Sequence, residues 1–361
     1  MADRFLVSAV GAIVEVDVSS RDERFQRRAY EAWADARYDG AQEADAVTAV
    51  REGIDDDAAL SWLSTDVTVA ALAHRRNDPI WMLHAAGLAD DRGRVVVLSA
   101  ASGTGKTTAA RHLARRLAYV SDETVGIDAT GRVVPYRKPL SIIREHSAHK
   151  DQVALSGIHG PRPLPEGLRV AKIVVIDRTP DGPEQPQIDE LEFSEALELL
   201  GPQTSYLGEG EAPLQLIAAI LDATGGAVRI RYREVVAIDE LIDDLLATET
   251  RPLGPVAPRR LDETVVPREG TFVRSAVVDE LERDGRTVLL RRTLTGGRIH
   301  VLDGIGPALW SAADGRTLDE LTSAVIAEHG APEGADARSL VDAAVRELVE
   351  DGLLQTAAPQ T

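Results

Sequence analysis

No cysteine occurs among the 361 residues, which excludes disulfides and cysteine-ligated metals. Aromatic residues make up only 4% of a chain that is 44% hydrophobic, so Ala, Val, Leu and Ile must fill the core. Asparagine occurs once, at Asn77. The Asn-Lys-x-Asp guanine-recognition motif therefore cannot be written, and ordinary GTPase function loses its support. No His-Arg-Asp or Asp-Phe-Gly triplet occurs, which removes the eukaryotic-type protein kinases. No apolar run is long enough to cross a bilayer. The opening Phe5 to Val14 is interrupted by Ser8 and followed by Glu15 and Asp17, and it reads as a strand rather than a signal peptide. The cytoplasm is the expected location. Lysine occurs only four times, at Lys106, Lys138, Lys150 and Lys172, although Lys and Arg together number 40. The net charge of −19 argues against affinity for nucleic acid or an anionic membrane. It is compatible with a soluble protein that handles Mg-nucleotide and a basic peptide.

Against these absences stands one strong motif. Val95-Val96-Val97-Leu98 is a buried strand that empties into Ser99-Ala100-Ala101-Ser102-Gly103-Thr104-Gly105-Lys106-Thr107-Thr108, and an Ala-rich helical segment runs on to Leu117. Strand, glycine-rich loop, Lys-Thr and helix is the order of a phosphate-binding P-loop, although Ala100 stands where the strict pattern has Gly. Glycines let successive N–H groups curl around phosphate oxygens, and the helix N-terminus adds its partial positive charge. Ser102, Gly103, Thr104, Gly105, Lys106, Thr107 and Thr108 are the expected nucleotide-binding residues, with Lys106 on the β/γ-phosphates and Thr107 on Mg²⁺. A lysine kept here, in a chain that otherwise prefers arginine, strengthens the reading. ATP and Mg²⁺ are the expected cofactors.

Around the motif the pattern predicts an α/β domain over residues 1–250. A leading lobe, about 1–78, holds strands at Ala12 to Val18 and Ala46 to Val50 and helices at Arg21 to Arg37 and Leu60 to His74. Asp55-Asp56-Asp57 reads as a solvated loop. Pro79 to Gly87 reads as one strand, Leu117 to Val120 as another, Val125 to Val134 as a hairpin, and Glu145 to Gly167 as a long loop. Val170 to Asp177 and Val228 to Arg233 are further strands. Four prolines mark a linker over 251–269, and a compact unit follows over 270–356. In it Ser275 to Glu282, Thr287 to Thr293 and Arg298 to Leu302 read as strands, followed by three helices.

Phosphoryl transfer needs carboxylates for metal and acceptor. Asp122-Glu123 ends one strand and Asp177 ends another. Spacing alone favours Asp177 as a Walker-B acid, whereas adjacent carboxylates at a strand end can serve metal and base together. His84, within an apolar stretch, is compatible with a core histidine as well as a catalytic one. His146, His149 and His159 lack helical spacing or carboxylate partners for a metal site. Arg137, Lys138 and Arg144 are surface cations or a grip on an acidic substrate.

Three motifs in register then resemble the HPr kinase family: Leu83-His84-Ala85-Ala86, Ser102-Gly103-Thr104-Gly105-Lys106-Thr107 and Ser121-Asp122-Glu123-Thr124-Val125. The resemblance implies a P-loop fold of the HPr kinase and phosphoenolpyruvate-carboxykinase type. It brings His84 into a catalytic set with Lys106, Asp122 and Glu123, and it makes Thr107, Asp122 and Glu123 the metal ligands. It leaves base and metal roles undivided between the two acids. Glu123 replaces the usual Asp, and the family's later Glu-x-Arg-Gly-x-Gly segment has no match, so the phosphocarrier protein HPr as substrate and phosphorolysis are not carried over. The chain looks like the divergent branch of that family found near peptide-modification genes.

The C-terminal segments Arg298 to Asp303, Gly306 to Trp310, Asp314 to Thr317 and Val345 to Leu354 look like a PqqD-type peptide-binding module, with Asp303 where Asn is common. Such modules hold a leader peptide as an added strand. A winged-helix DNA reader is the rival. From Gly270 onward fifteen Asp/Glu face nine Arg and no Lys, the opposite of a DNA reader's balance. Trp310 reads as core. The expected protein is an ATP-dependent kinase that phosphorylates a hydroxyl, most simply Ser, on a ribosomally made peptide. The expected partners are that peptide, co-encoded modification enzymes and a second copy of the chain, with no nucleic acid or membrane. The alternatives are a nucleotide-gated peptide chaperone and a small-molecule hydroxyl kinase.

Overall fold

The structure, a computed structural model, describes residues 3–101, 103–142, 149–160, 162–256, 268–294 and 296–356. Two units emerge: Met1–Gly210 with Leu216–Val256, and Glu211–Gln215 with Ala257–Thr361.

The first unit opens with the hairpin β1 (Arg4–Ala9) and β2 (Ala12–Asp17), turned by Val10 and Gly11 at φ 50° and 79°. Two successive positive φ values match the right-handed twist of paired strands. After α1 (Glu23–Ala32), β3 (Ala46–Ala49) joins β2 in parallel. The acidic patch is not a loop. Asp55 is the N-cap of α2 (Asp56–Arg75), accepting from Ala58 N, and Asp56 and Asp57 fill the first turn. The Asp55 carboxylate satisfies an orphan N–H group, and Asp56 and Asp57 complement the helix dipole. Phe25, Trp33 and Leu63 anchor the core of this lobe, which extends to Ile80, Met82 and Tyr136.

The stretch expected as one strand forms two, β4 (Ile80–Leu83) and β5 (Ala85–Ala89), with His84 between them. They belong to different sheets. Next come β6 (Arg94–Ser99), α3 (Lys106–Leu113), β7 (Ala118–Ser121), β8 (Val125–Asp128) and β9 (Val133–Val134). The expected long loop contains the second strand of a ribbon, β10 (Leu140–Ile142) with β11 (Asp151–Val153), and the short α4 (Ser156–His159). Residues 143–148, with Arg144 and His146, lie outside the described residues. Then follow β12 (Arg169–Arg178), β13 (Gln187–Glu190), α5 (Phe193–Leu200), α6 (Pro213–Ala223), β14 (Ala227–Tyr232) and α7 (Asp239–Ala247).

A six-stranded sheet in the order β13-β14-β12-β6-β5-β7 is the frame of this unit. β14, β12 and β6 run parallel, and β13 and β5 are antiparallel to their neighbours. β12 and β6 are almost wholly buried, as strands covered on both faces should be. α3 and α7 supply Leu113, Ile242 and Leu246 to the core on this sheet.

In the second unit β15 (Thr271–Arg274) and β16 (Asp279–Arg283) take the place of the single expected strand at 275–282. β17 (Arg286–Thr293) and β18 (Gly296–Leu302) complete a β16-β17-β18 meander. α8 (Gly306–Ala312), β19 (Asp314–Thr317), α9 (Leu318–His329), α10 (Ala337–Glu350) and β20 (Leu354–Thr356) follow. β15 lies between β19 and β20, a second small sheet that the sequence pattern did not suggest. Trp310 is in the core with Leu309, Leu321 and Val345, as expected. Most of the 251–269 linker, 257–267, lies outside the described residues. Among the described residues no helix is long and apolar enough to cross a membrane.

Candidate active site

The glycine-rich loop leaves the sheet from β6, between β12 and β5. Gly103 and Gly105 have φ 85° and 102°, a region that costs an L side chain. At Gly103 a Cβ would point into open space, so this backbone offers a cradle that a phosphate can enter. Ala100 is absent from the positive-φ positions and is buried, which is why alanine is accepted where the strict motif has glycine. Gly105 starts α3 without any side-chain cap, leaving the first N–H groups of the helix for an anion. Lys106 Nζ folds over the loop and donates to Ala100 O at 2.5 Å. Burial lowers its pKa, and Glu123 and Asp122 partly oppose the shift. Ser102 lies outside the described residues.

Beside the loop, two chain segments change sheets at the same level. β4 pairs with β8, ending at Leu83↔Val125, while β5 pairs with β7 from Gly87↔Ser121. His84 is the link in the first segment, and Asp122-Glu123-Thr124 the link in the second. Main-chain bonds lock the crossing: Ala85 N donates to Glu123 O at 3.1 Å, and His84 N to Gln203 O at 2.7 Å. The main-chain groups make these bonds, and the side chains of His84 and Glu123 find other partners.

Those partners are each other. Glu123 Oε1 lies 3.4 Å from His84 Nδ1, and Glu123 Oε2 accepts from Lys138 Nζ at 2.8 Å. Burial alone would raise the Glu123 pKa, but the His84 hydrogen bond and the Lys138 charge overcome it and hold it at about 2. Asp122 behaves oppositely. Burial raises its pKa against the pull of Lys138 and of hydrogen bonds from Tyr119 and Thr107. The Tyr119 hydroxyl donates to Asp122 Oδ1 at 2.8 Å. Burial pushes Lys138 down, yet the two carboxylates more than compensate and leave it raised. Adjacent carboxylates thus carry unlike protonation tendencies set by environment.

Loop and crossing open on one cavity of about 550 Å³, whose wall includes His84, Gly103, Lys106, Thr107, Asp122 and Glu123. Gly105 and Thr108 also face it, as do Lys138 and Lys150, so three of the four lysines converge here. Thr104 sits in the loop, where its hydroxyl donates to Ala101 O. Asp177 is not among the residues lining the cavity; it is the penultimate residue of β12, in register with Arg231 of β14. Arg137 faces Asp35 at 3.8 Å and donates to Arg162 O. His159 meets Arg111 O. No group of three or more potential His, Asp or Glu metal ligands occurs among the described residues. The Thr107 hydroxyl hydrogen-bonded to Asp122 is nevertheless a pair of hard oxygen donors beside the cradle, and Mg²⁺ takes one or two such ligands alongside phosphate oxygens.

Sequence reading did not place Tyr119 or Lys138 in this constellation. No local signal marks Tyr119. Lys138 carried the same mark as Lys106, a rare lysine in an arginine-rich chain.

No curated protein matches the chain. Residues 276–354 match the family model of PqqD, coenzyme PQQ synthesis protein D, so the second unit carries a PqqD-like domain running from just before β16 to the start of β20.

Proposed function

We propose that the chain is an ATP-dependent phosphotransferase of the HPr-kinase type that phosphorylates a hydroxyl, Ser in the simplest case, of a ribosomally synthesised peptide held by the PqqD-like domain. One observation carries the catalytic half: the glycine cradle and Lys106 share a cavity with His84, Asp122 and Glu123. The PqqD match supports a peptide partner, and a cytoplasmic setting would supply the ATP.

In this reading Lys106 and the N–H groups of the loop hold the β- and γ-phosphates. Thr107 and Asp122 would hold Mg²⁺, which supplies charge neutralisation at the phosphate oxygens. Glu123, held ionised by Lys138 and His84, orients the acceptor hydroxyl. The hydroxyl oxygen bonds to the γ-phosphorus as the bridging P–O bond breaks toward ADP, and the hydroxyl proton passes to Glu123. A carboxylate with a pKa of about 2 is a weak base, but a loose transition state demands positioning more than early proton removal. The test incubates purified chain with Mg-ATP labelled in the γ-phosphate and the precursor peptide encoded beside it. Label on a peptide Ser, absent with Lys106→Ala, supports the reading; nucleotide binding without transfer to any such peptide sinks it.

The double engagement of Glu123 favours one second reading, a peptide chaperone gated by nucleotide. There Lys106→Ala leaves peptide binding intact and abolishes only nucleotide-dependent release.

A further inference from the structure

We propose that Lys138 is a second phosphate-binding cation of this cavity, stationed at the terminal phosphoryl group so that the site distinguishes a nucleoside triphosphate from a diphosphate. The inference rests on the nucleotide-binding reading above. Lys138 is rigidly placed: it stands two residues before β10, Pro139 follows it, and its carbonyl accepts from the Tyr119 hydroxyl at 3.1 Å. Its side chain is only 8% exposed, yet it forms part of the cavity wall. An ammonium has three protons to give. Among the described residues Glu123 Oε2, at 2.8 Å, is the one hydrogen-bond acceptor it meets. Burying an ammonium is costly, and a single carboxylate repays that cost only in part. The remaining donor capacity of Lys138 lies against a cavity whose P-loop cation, Lys106, turns to Ala100 O on the loop side, with Arg111 and Lys150 also in its wall.

Position along the nucleotide follows from the carboxylates. A hydroxyl acceptor and the phosphoryl group it attacks must meet beside the groups that orient the hydroxyl, here Asp122 and Glu123. Lys138 is bonded to Glu123, so it belongs to the γ end. Lys106 and the loop also hold the β-phosphate, which a diphosphate keeps, whereas Lys138 meets the γ-phosphate alone. The ammonium acts here as a compact point charge with three rotatable donors, unlike the planar arginine fork that this chain uses almost everywhere else.

The test titrates the full chain and its Lys138→Met variant with Mg-ATP and Mg-ADP by calorimetry. Mg-ADP binding should be unchanged, while Mg-ATP binding weakens about 10- to 100-fold, the worth of one charge-assisted hydrogen bond. Because Lys138→Met leaves Glu123 without its cation, the Lys138→Met/Glu123→Gln double variant is measured in parallel, and it decides the matter where the single variant does not fold. Equal losses for ATP and ADP, or no loss for either, overturn the proposal. Failure of the unmutated chain to bind either nucleotide instead overturns the reading on which it rests. A second readout needs no variant: reductive methylation of Lys138 should be slowed by Mg-ATP and not by Mg-ADP. Equal protection by both contradicts the assignment.

Discussion

Glu123 concentrates most of what the site can do into one side chain. Its pKa of about 2, below an ordinary 4.5, means that the folded state binds the ionised form more tightly than the unfolded chain does. The stability it contributes is complete above pH 4.5 and is lost as pH falls from 4.5 towards 2. Asp122 works with the opposite sign, since its raised pKa makes ionisation a cost to the fold as pH rises through it. Acid unfolding of Glu123→Gln, followed by circular dichroism, should accordingly show a shallower loss of stability across that acid window than the parent chain. Lys106→Ala should weaken Mg-ATP binding about 10- to 100-fold, the worth of one charge-assisted hydrogen bond, as read by calorimetry. Gly103, Lys106, Asp122 and Glu123 were legible in the sequence because their chemistry travels with short-range spacing. Lys138 was legible as a rare lysine and as a surface cation or a grip on an acidic substrate, but not as the partner of Glu123, and Tyr119 not at all. Their roles depend on a contact that forms when the segment before β10 lies against the end of β7.

At the scale of elements, the site exists because two strands are cut short together. Ile80 to Leu88 is an unbroken apolar run apart from His84, and nothing in such a run says that the chain leaves one sheet for another midway. The break is a tertiary outcome: β8 claims Ile80–Leu83, and β6 and β7 claim Ala85–Ala89. Gly87 makes the crossing close. A Cβ there would meet Val125 Cγ2 at 3.1 Å and Val120 Cβ at 3.2 Å. Gly87→Ala should thus cost about 1–3 kcal/mol as an overpacking change, measured as a lower unfolding midpoint, and should loosen nucleotide binding by shifting Asp122-Glu123. In the second unit α9 begins with a full capping box, in which the Thr317 side chain accepts from Glu320 N and Glu320 accepts from Thr317 N. Thr317→Ala should cost about 1 kcal/mol, seen as faster amide hydrogen exchange in the first turn of α9. The Thr-x-x-Glu start is a sequence signature of that helix's N-terminus. The acidic triplet at Asp55 misled because the same residues that solvate a loop also cap a helix.

Over the whole molecule, charge and architecture separate the tasks. The chain carries −19 overall, yet gathers three of its four lysines on one cavity, so cationic character is local and suited to a small anion. Duplex DNA should show no retardation by the chain in gels at about 0.15 M salt, where long-range attraction is already screened; a sequence-independent shift would contradict this charge reading. The mixed α/β character, the order of strand, glycine loop and helix at β6 and α3, and the PqqD-like segment were legible because each is written in contiguous sequence. The small sheet of β19, β15 and β20 was not, since its strands come from three separated stretches, all are four residues or fewer, and β19 and β20 lie in an otherwise helical context. That sheet places Phe272 of β15 opposite Thr356 of β20, so the two extremities of the PqqD-like unit lie side by side. A module whose ends meet can be spliced into a longer protein at a single point, or circularly permuted by joining those ends and reopening the chain at the Asp284-Gly285 turn, with every strand partner preserved.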